Sequence, residues 1–233
     1  MGLYADPWRA EERRPSGQPV LDRPHLEAHG IPPVPERSTS WQTFLHAHWG
    51  ALAGADFFTT EVWTWRGLIT YSTVFVIDLA SRRVHIVGST PHPHDVFMQQ
   101  VVRTLTTADD GVLVGHRVLI GDRDAKWSAR GRGRLGEAGI HVVLTPYRAP
   151  DANAYAERFV RSIKEECLDR VILFGDHHLR RTMAEYVEHY HRERNHQGLA
   201  NALIAGPPAT SRVGPIRRRP RLGGLLNYYV RAA

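Results

Sequence analysis

The chain has 233 residues, a formal net charge of +6 and a pI near 9.8, with 42% hydrophobic and 23% charged residues, close to ordinary globular composition. A single cysteine, Cys167, excludes an internal disulfide framework and any multi-cysteine zinc site. No apolar run approaches the ~18–20 residues of a membrane span, and the first thirty residues lack a signal-peptide core, so the expectation is a soluble, cytoplasmic protein of one domain plus tails, with no membrane partner.

In chain order, residues 1–39 read as a disordered or linker leader, because Pro7, Pro15, Pro19, Pro24, Pro32, Pro33 and Pro35 interrupt any period. A short helix is expected over 39–52, capped near Ser40. Three strand-like runs follow at 53–65, 68–79 and 83–89, rich in Val, Ile, Phe, Thr and Trp. The links at Arg66-Gly67 and Ser81-Arg82 are too short for a parallel crossover, so the three form an antiparallel meander. Residues 94–107 then have helical spacing, 117–121 a strand, 128–138 a helix weakened by Gly131, Gly133 and Gly136, and 141–145 a strand. Long helical patterns over 152–173 and 178–194 close the core. The order predicts an α/β fold with a mixed five-stranded sheet and flanking helices. The C-terminal stretch 209–233 is a basic tail with Arg212, Arg217, Arg218, Arg219 and Arg221 beside aromatics, read either as solvated surface or as a nucleic-acid-binding tail.

Only Lys126 and Lys164 of the thirty basic residues are lysines. Arginine's planar fork suits phosphate, although a G+C-rich genome raises arginine content whatever a protein does; composition leans toward nucleic acid without settling it.

Three acids stand where an acid is out of place. Asp56 interrupts Ala55-Asp-Phe-Phe58 inside an apolar strand, and an acid there is costly unless paired or bound to metal. Asp122 lies just past the fourth strand, where sheet proteins place reactive groups. Glu157 begins a late helix on which Asn153, Glu157, Arg161 and Lys164 form one polar stripe while Tyr155, Phe159 and Ile163 face away; an ordinary surface helix with a Glu157–Arg161 pair accounts for that stripe equally well. Three carboxylates without thiols select Mg²⁺ or Mn²⁺ over zinc, and two such ions can serve phosphodiester chemistry. The histidine groups His46/His48, His92/His94 and His189/His191/His196 lie far apart in sequence, have no cysteine support and make a poor zinc set. There is no Gly-x-Ser-x-Gly elbow and no Walker-type loop.

The motifs Ala55-Asp-Phe-Phe58, Ile120-Gly-Asp-Arg-Asp-Ala-Lys-Trp127 and Pro146-Tyr-Arg-Ala-Pro-Asp-Ala-Asn-Ala-Tyr-Ala-Glu-Arg-Phe159, followed by Tyr190-His-Arg-Glu-Arg-Asn-His-Gln-Gly-Leu199, resemble the DDE family's catalytic core. That core is shared by bacterial insertion-sequence transposases and retroviral integrases, and the resemblance runs over 40–208. It implies a ribonuclease-H-like fold and a Mg-dependent polynucleotidyl transferase. Asp56, Asp122 and Glu157 would be the catalytic acids and the ligands of two Mg²⁺ (or Mn²⁺) ions, and Asn153, Arg158, Arg161 and Lys164 would contact DNA. The reaction would be strand cleavage followed by transfer of the freed 3′-hydroxyl into target DNA. The partners would be element ends and target DNA, with a homo-oligomer assembled on them beside the bacterial nucleoid. Asp-Arg-Asp replaces the family's usual Asp-Arg-Gly, which makes Asp124 a rival for the second acid. Because residues 1–39 lack the helix-turn-helix pattern of related transposases, the expectation is an N-terminally truncated enzyme; the alternative is an inactive remnant that binds DNA non-specifically.

Overall fold

The computed structural model describes residues 43, 45, 48–108, 111–124, 126–145, 153–206 and 214–231, all within the unit Trp41–Ala233. The expected leader over 1–39, half of the helix expected over 39–52 and the motif residues 146–152 lie outside the described residues, and the end of that helix is a 3₁₀ turn, Trp49–Ala51, leading into a strand at Leu52.

Three strands, β1 (Leu52–Thr64), β2 (Gly67–Asp78) and β3 (Val84–Thr90), pair antiparallel as the short links require. The tightest turn closes with Thr64 opposite Gly67. Gly67 has φ of +102°, which only glycine adopts without strain. Helix α1 (Asp95–Thr106) crosses over to β4 (Val118–Gly121), and α2 (Ala129–Glu137) crosses over to β5 (His141–Leu144). Both late strands run parallel to β1, giving the order β3-β2-β1-β4-β5. An antiparallel meander extended on its first strand by two parallel crossovers, with helices on both faces, is a ribonuclease-H-like fold. Helix α2 forms despite its glycines because Ser128 caps it, its hydroxyl accepting from Gly131 N at 3.2 Å.

Residue alternation sorts β1 and β4 into two faces. Leu52, Phe58, Val118 and Ile120 join a core completed by Phe159, Ile163, Leu179, Met183 and Tyr186 of α3 (Ala154–Glu166) and α4 (Gly175–Arg192). Ala53, Ala55 and Leu119 join the opposite core, with Val101, Leu105, Trp127 and Leu135. Both faces of β1 are therefore dry through Ala55, and Asp56 is the first polar side chain the strand presents.

Two expectations change. The helix over 152–173 stops at Glu166: Cys167 takes φ −136° and ψ −69°, a short 3₁₀ turn covers Leu168–Arg170, and Leu173 O then accepts from Trp63 N at 2.8 Å. Leaving the helix lets Leu168 and Leu173 bury and joins this segment to the end of β1. The stretch read as a tail contains a two-stranded antiparallel hairpin, β6 (Ile216–Arg221) and β7 (Leu226–Arg231), turned at Gly223-Gly224. Among the described residues no helix is long and apolar enough to cross a membrane.

Candidate active site

The β1–β4 register is Leu52↔Val118, Ala53↔Leu119 and Gly54↔Ile120. The ladder stops there and β4 ends at Gly121; the same register carried two residues further brings Asp56 level with Asp122, whose charge acts on the Asp56 carboxyl. Residues two apart on a strand share a face, so Asp56 leaves β1 on the same side as Phe58, and Asp122 follows directly on the end of β4. By alternation from Phe58 and Ile120 that face is the one α3 covers.

Helix α3 is fixed over this edge by its apolar stripe. Ala156, Phe159 and Ile163 are fully buried, and Phe159 packs on Phe75 at 4.8 Å and Tyr190 at 5.2 Å between ring centres. At its end, Glu166 accepts from Arg194 Nη2 at 2.7 Å and from the Tyr186 hydroxyl at 3.0 Å, locking α3 to α4. Glu157 lies in the first turn on the polar side, exposed, with Arg158 and Arg161 also exposed and Lys164 half-buried. The stripe predicted from the 3.6-residue period is thus present at Glu157, Arg161 and Lys164.

Asn153 departs from the expected role. It is 8% exposed, and its Nδ2 donates to Ala55 O at 3.3 Å. In place of reaching toward DNA, the side chain ties the start of α3 to the strand residue preceding Asp56. Room for it comes from Gly54, where an added Cβ would stand 2.9 Å from Asn153 Oδ1.

The electrostatics report how the acids sit. Burial lifts the Asp56 carboxyl to about 6, the Phe57 N–H opposes the rise, and the charges of Asp122, Glu157 and Asp124 add to it. Phe57 N donates to Asp56 Oδ1 at 2.7 Å. Burial also raises Asp122, opposed by the Asp124 N–H it accepts from and by Lys126, while the Asp124 charge adds to the rise. For Asp124 burial pulls upward, but Lys126 prevails through its ammonium and its backbone N–H and holds the carboxyl below its ordinary value. Asp124 is therefore neutralised by its own loop, whereas Asp56 makes no ion pair with any described residue.

Trp127 was quoted in the motif without a role. It is 2% exposed, its ring meets Phe57 edge-on at 5.9 Å, and its Nε1 would lie 3.5 Å from a Cβ on Gly121. It thus wedges against the neighbours of both aspartates, Phe57 after Asp56 and Gly121 before Asp122. Gly54 was missed as well; a lone glycine within an apolar strand is the sequence signal for such a close approach.

Carboxylate oxygens without sulfur are the donor set of a hard divalent cation, and such an ion would offset the burial and neighbouring negative charge that raise Asp56. In kind and charge the residues fit. Among the described residues, no three acidic, histidine or cysteine side chains are grouped closely enough to hold an ion. The two helical histidines His189 and His191 face different partners: His189 Nδ1 meets Glu193 Oε2 at 3.0 Å, and His191 Nε2 accepts from Val84 N at 2.9 Å.

Residues 138–202, from the end of α2 through α4, match the family model described as the integrase core domain. The resemblance to the integrase and transposase core family is borne out over that segment. Among solved structures, the chain is similar to the catalytic core domain of BIV integrase (13% identity, 64% of this chain and 88% of that one, TM-score 0.44). It is also similar to the HTLV-2 integrase catalytic core domain in complex with magnesium, a trimeric form (8%, 67% and 94%, 0.48). A third likeness is to the simian T-cell lymphotropic virus intasome in complex with PP2A regulatory subunit B56 gamma (12%, 78% and 67%, 0.46). No curated protein matches. The fold assignment itself rests on the strand order and connectivity described above.

Proposed function

We propose that the protein is a metal-dependent DNA strand-cleaving and strand-transferring enzyme, a transposase or integrase core acting on DNA as a homo-oligomer. What supports this reading is that the charges of Asp122 and Glu157 act on the buried Asp56 carboxyl at the end of the β1–β4 ladder. The match over residues 138–202 supports the same class.

Asp56, Asp122 and Glu157 would hold two Mg²⁺ or Mn²⁺ ions. When bound, the ions supply Lewis-acid activation of the attacking oxygen and charge stabilisation at the leaving one. Arg158, Arg161 and Lys164 line the exposed side of α3 and would hold phosphates in place, while Asn153 and Trp127 fix the strands that carry the aspartates. In the first reaction water displaces the 3′-oxygen at the element end, breaking one P–O bond and leaving a 3′-hydroxyl. In the second that hydroxyl attacks a target phosphodiester, so one P–O bond forms as another breaks and no ATP is needed.

The test is incubation of the full chain with duplex DNA and Mg²⁺ or Mn²⁺, with 3′-end nicking and joined products read on gels. Activity lost in Asp122→Asn and in Glu157→Gln is the expected result. Activity unchanged in both variants overturns the site, and DNA binding with no nicking in the parent protein leaves a DNA-binding remnant.

A further inference from the structure

The positive balance of the chain sits wholly in its last forty residues. Residues 194–233 hold seven arginines and no aspartate or glutamate, against a net charge of +6 for the whole chain, which leaves −1 for the 193 residues before them. The proposed acid site therefore lies in a nearly neutral body, and the charge that attracts a polyanion is carried elsewhere.

Five of the seven arginines stand on the β6–β7 hairpin, and they divide by what they do. Arg221 is spent on anchoring: its Nη2 donates to Glu193 Oε1 at 2.7 Å and its Nε to Glu193 Oε2 at 2.8 Å, at the end of α4. Next to it Leu226 is buried, and Leu222 N donates to Glu185 Oε2 at 3.4 Å. Arg231 donates from Nη1 to Gly214 O at 3.1 Å at the open end. Arg217, Arg218 and Arg219 are exposed and make no ion pair with any described residue. Pairing on the ladder sets Arg218 across from Tyr229, which is 61% exposed. Alternation puts Arg217 and Arg219 on one side of the strand, roughly 7 Å apart, and Arg218 on the other.

Three consecutive arginines on one strand repel one another and lower the hairpin's own stability. A surface that served only solubility would intersperse acids among them, and none is present. The anchor at Glu193 does what a flexible tail would not: it holds the three guanidinium groups on a stiff ladder at fixed spacing.

We propose that the β6–β7 hairpin is a sequence-independent phosphate-binding arm for duplex DNA, with Arg217, Arg218 and Arg219 as its contacts and Arg221 as its fixed base. The choice of DNA rests on the strand-transfer reading above; the arm supplies attraction and the acid site supplies chemistry. Guanidinium forks bind phosphate oxygens in pairs, and such contacts position a protein without reading bases.

The test measures binding of the full chain to an unrelated duplex across a salt series. Each phosphate contact contributes ~0.9 to the slope of log affinity against log salt, so the triple variant Arg217→Gln, Arg218→Gln, Arg219→Gln is expected to lose about 2–3 from that slope. Restoration of the slope by the corresponding triple substitution to lysine would support the arm, because charge alone is then sufficient. A parent that binds duplex DNA with a slope unchanged in the glutamine triple overturns the arm and leaves the strand-transfer reading intact. Binding that depends on the arm, without metal-dependent nicking, overturns the strand-transfer reading and leaves the arm. Tighter arm-dependent binding to an RNA duplex overturns the assignment of DNA.

Discussion

Gly54 and Asn153 occupy one space: a Cβ on Gly54 would stand 2.9 Å from Asn153 Oδ1, while Asn153 Nδ2 donates to Ala55 O at 3.3 Å. The two residues lie 99 positions apart in sequence, and their contact joins β1 to the start of α3 immediately before Asp56. Gly54→Ala is expected to cost about 1–3 kcal/mol, as overpacking does in a dry site. Asn153→Ala removes one buried hydrogen bond and is expected to cost about 1 kcal/mol. Because the first substitution harms by displacing the second side chain, the double variant should be more stable than the sum of the two losses implies. Denaturant melts of the four proteins check this; strict additivity would show that the side chains do not share the space.

Asp56 makes the fold pH-dependent in a direction opposite to most paired carboxylates. Its ordinary value of 3.8 rises to about 6 in the fold, chiefly through burial. Between those values the native protein binds more protons than the unfolded chain, so this group's contribution falls as pH rises and the whole penalty is present above about pH 6. The shift corresponds to at most about 3 kcal/mol. Asp56→Asn is therefore expected to match the parent near pH 4 and to exceed it by about 1–3 kcal/mol at pH 7.5 without metal. If the carboxylate is a metal ligand, Mg²⁺ should raise the melting temperature of the parent and not of the variant. Equal pH profiles for the two proteins would remove the assignment of burial as the cause.

Asp122 and Asp124 are two residues apart and differ in what surrounds them. Asp124 is already neutralised by Lys126, whereas Asp122 stays raised by burial despite Lys126. Losing a ligand whose ion supplies several kcal/mol of transition-state stabilisation corresponds to a fall of ~100-fold or more. Asp122→Asn is expected to lose nicking on that scale and Asp124→Asn to lose less than ~10-fold. The reverse ranking in a metal-dependent nicking assay would exchange their roles.

What was legible in the sequence follows from how local the causes are. The meander was readable because two short links leave no other pairing, and the α3 stripe because the helical period survives in Ala156, Phe159 and Ile163. Asp56 and Asp122 could be singled out as acids in apolar surroundings, but their juxtaposition depends on a parallel register that no local pattern encodes. Asn153 was placed by period on the polar side, yet its burial is set by Gly54, a residue distant in sequence. The end of α3 was overrun because its apolar positions continue in Leu168 and Leu173, which bury from non-helical backbone. The hairpin was hidden because five arginines suppress the alternation that marks a strand; Gly223-Gly224 between Leu222 and Leu225 was the remaining signal.

His191 gives the fold an acid limit. Its Nε2 accepts from Val84 N at 2.9 Å, and burial, with His85 and Arg83 adding, lowers it from 6.5 to about 4. Between those values the unfolded chain binds the extra proton, so stability falls as pH drops through this window, by up to about 3 kcal/mol. Arg192, His196, His85 and Arg83 all oppose protonation. His191→Gln keeps an acceptor that cannot titrate, and it is expected to flatten the melting profile between pH 4 and 6.5. A profile as steep as the parent's would assign the acid sensitivity to other groups.

Glu193 joins the hairpin to α4 because it accepts from both Arg221 and His189, with burial pulling its carboxyl up and those two partners, Arg221 foremost, holding it below the ordinary value. Glu193→Gln removes the charge from both contacts while keeping the side-chain length. Charge-assisted hydrogen bonds contribute about 1.5–3 kcal/mol each where they are shielded from water; the pair is partly exposed, so a loss of about 1–2 kcal/mol is expected. The loss should be local. Amide exchange over β6 and β7 is expected to accelerate about tenfold or more, with β1 and β4 unchanged, because undocking the hairpin leaves the central sheet paired. Exchange that accelerates uniformly across the chain would show that the hairpin is part of the global folding unit rather than an arm docked on it.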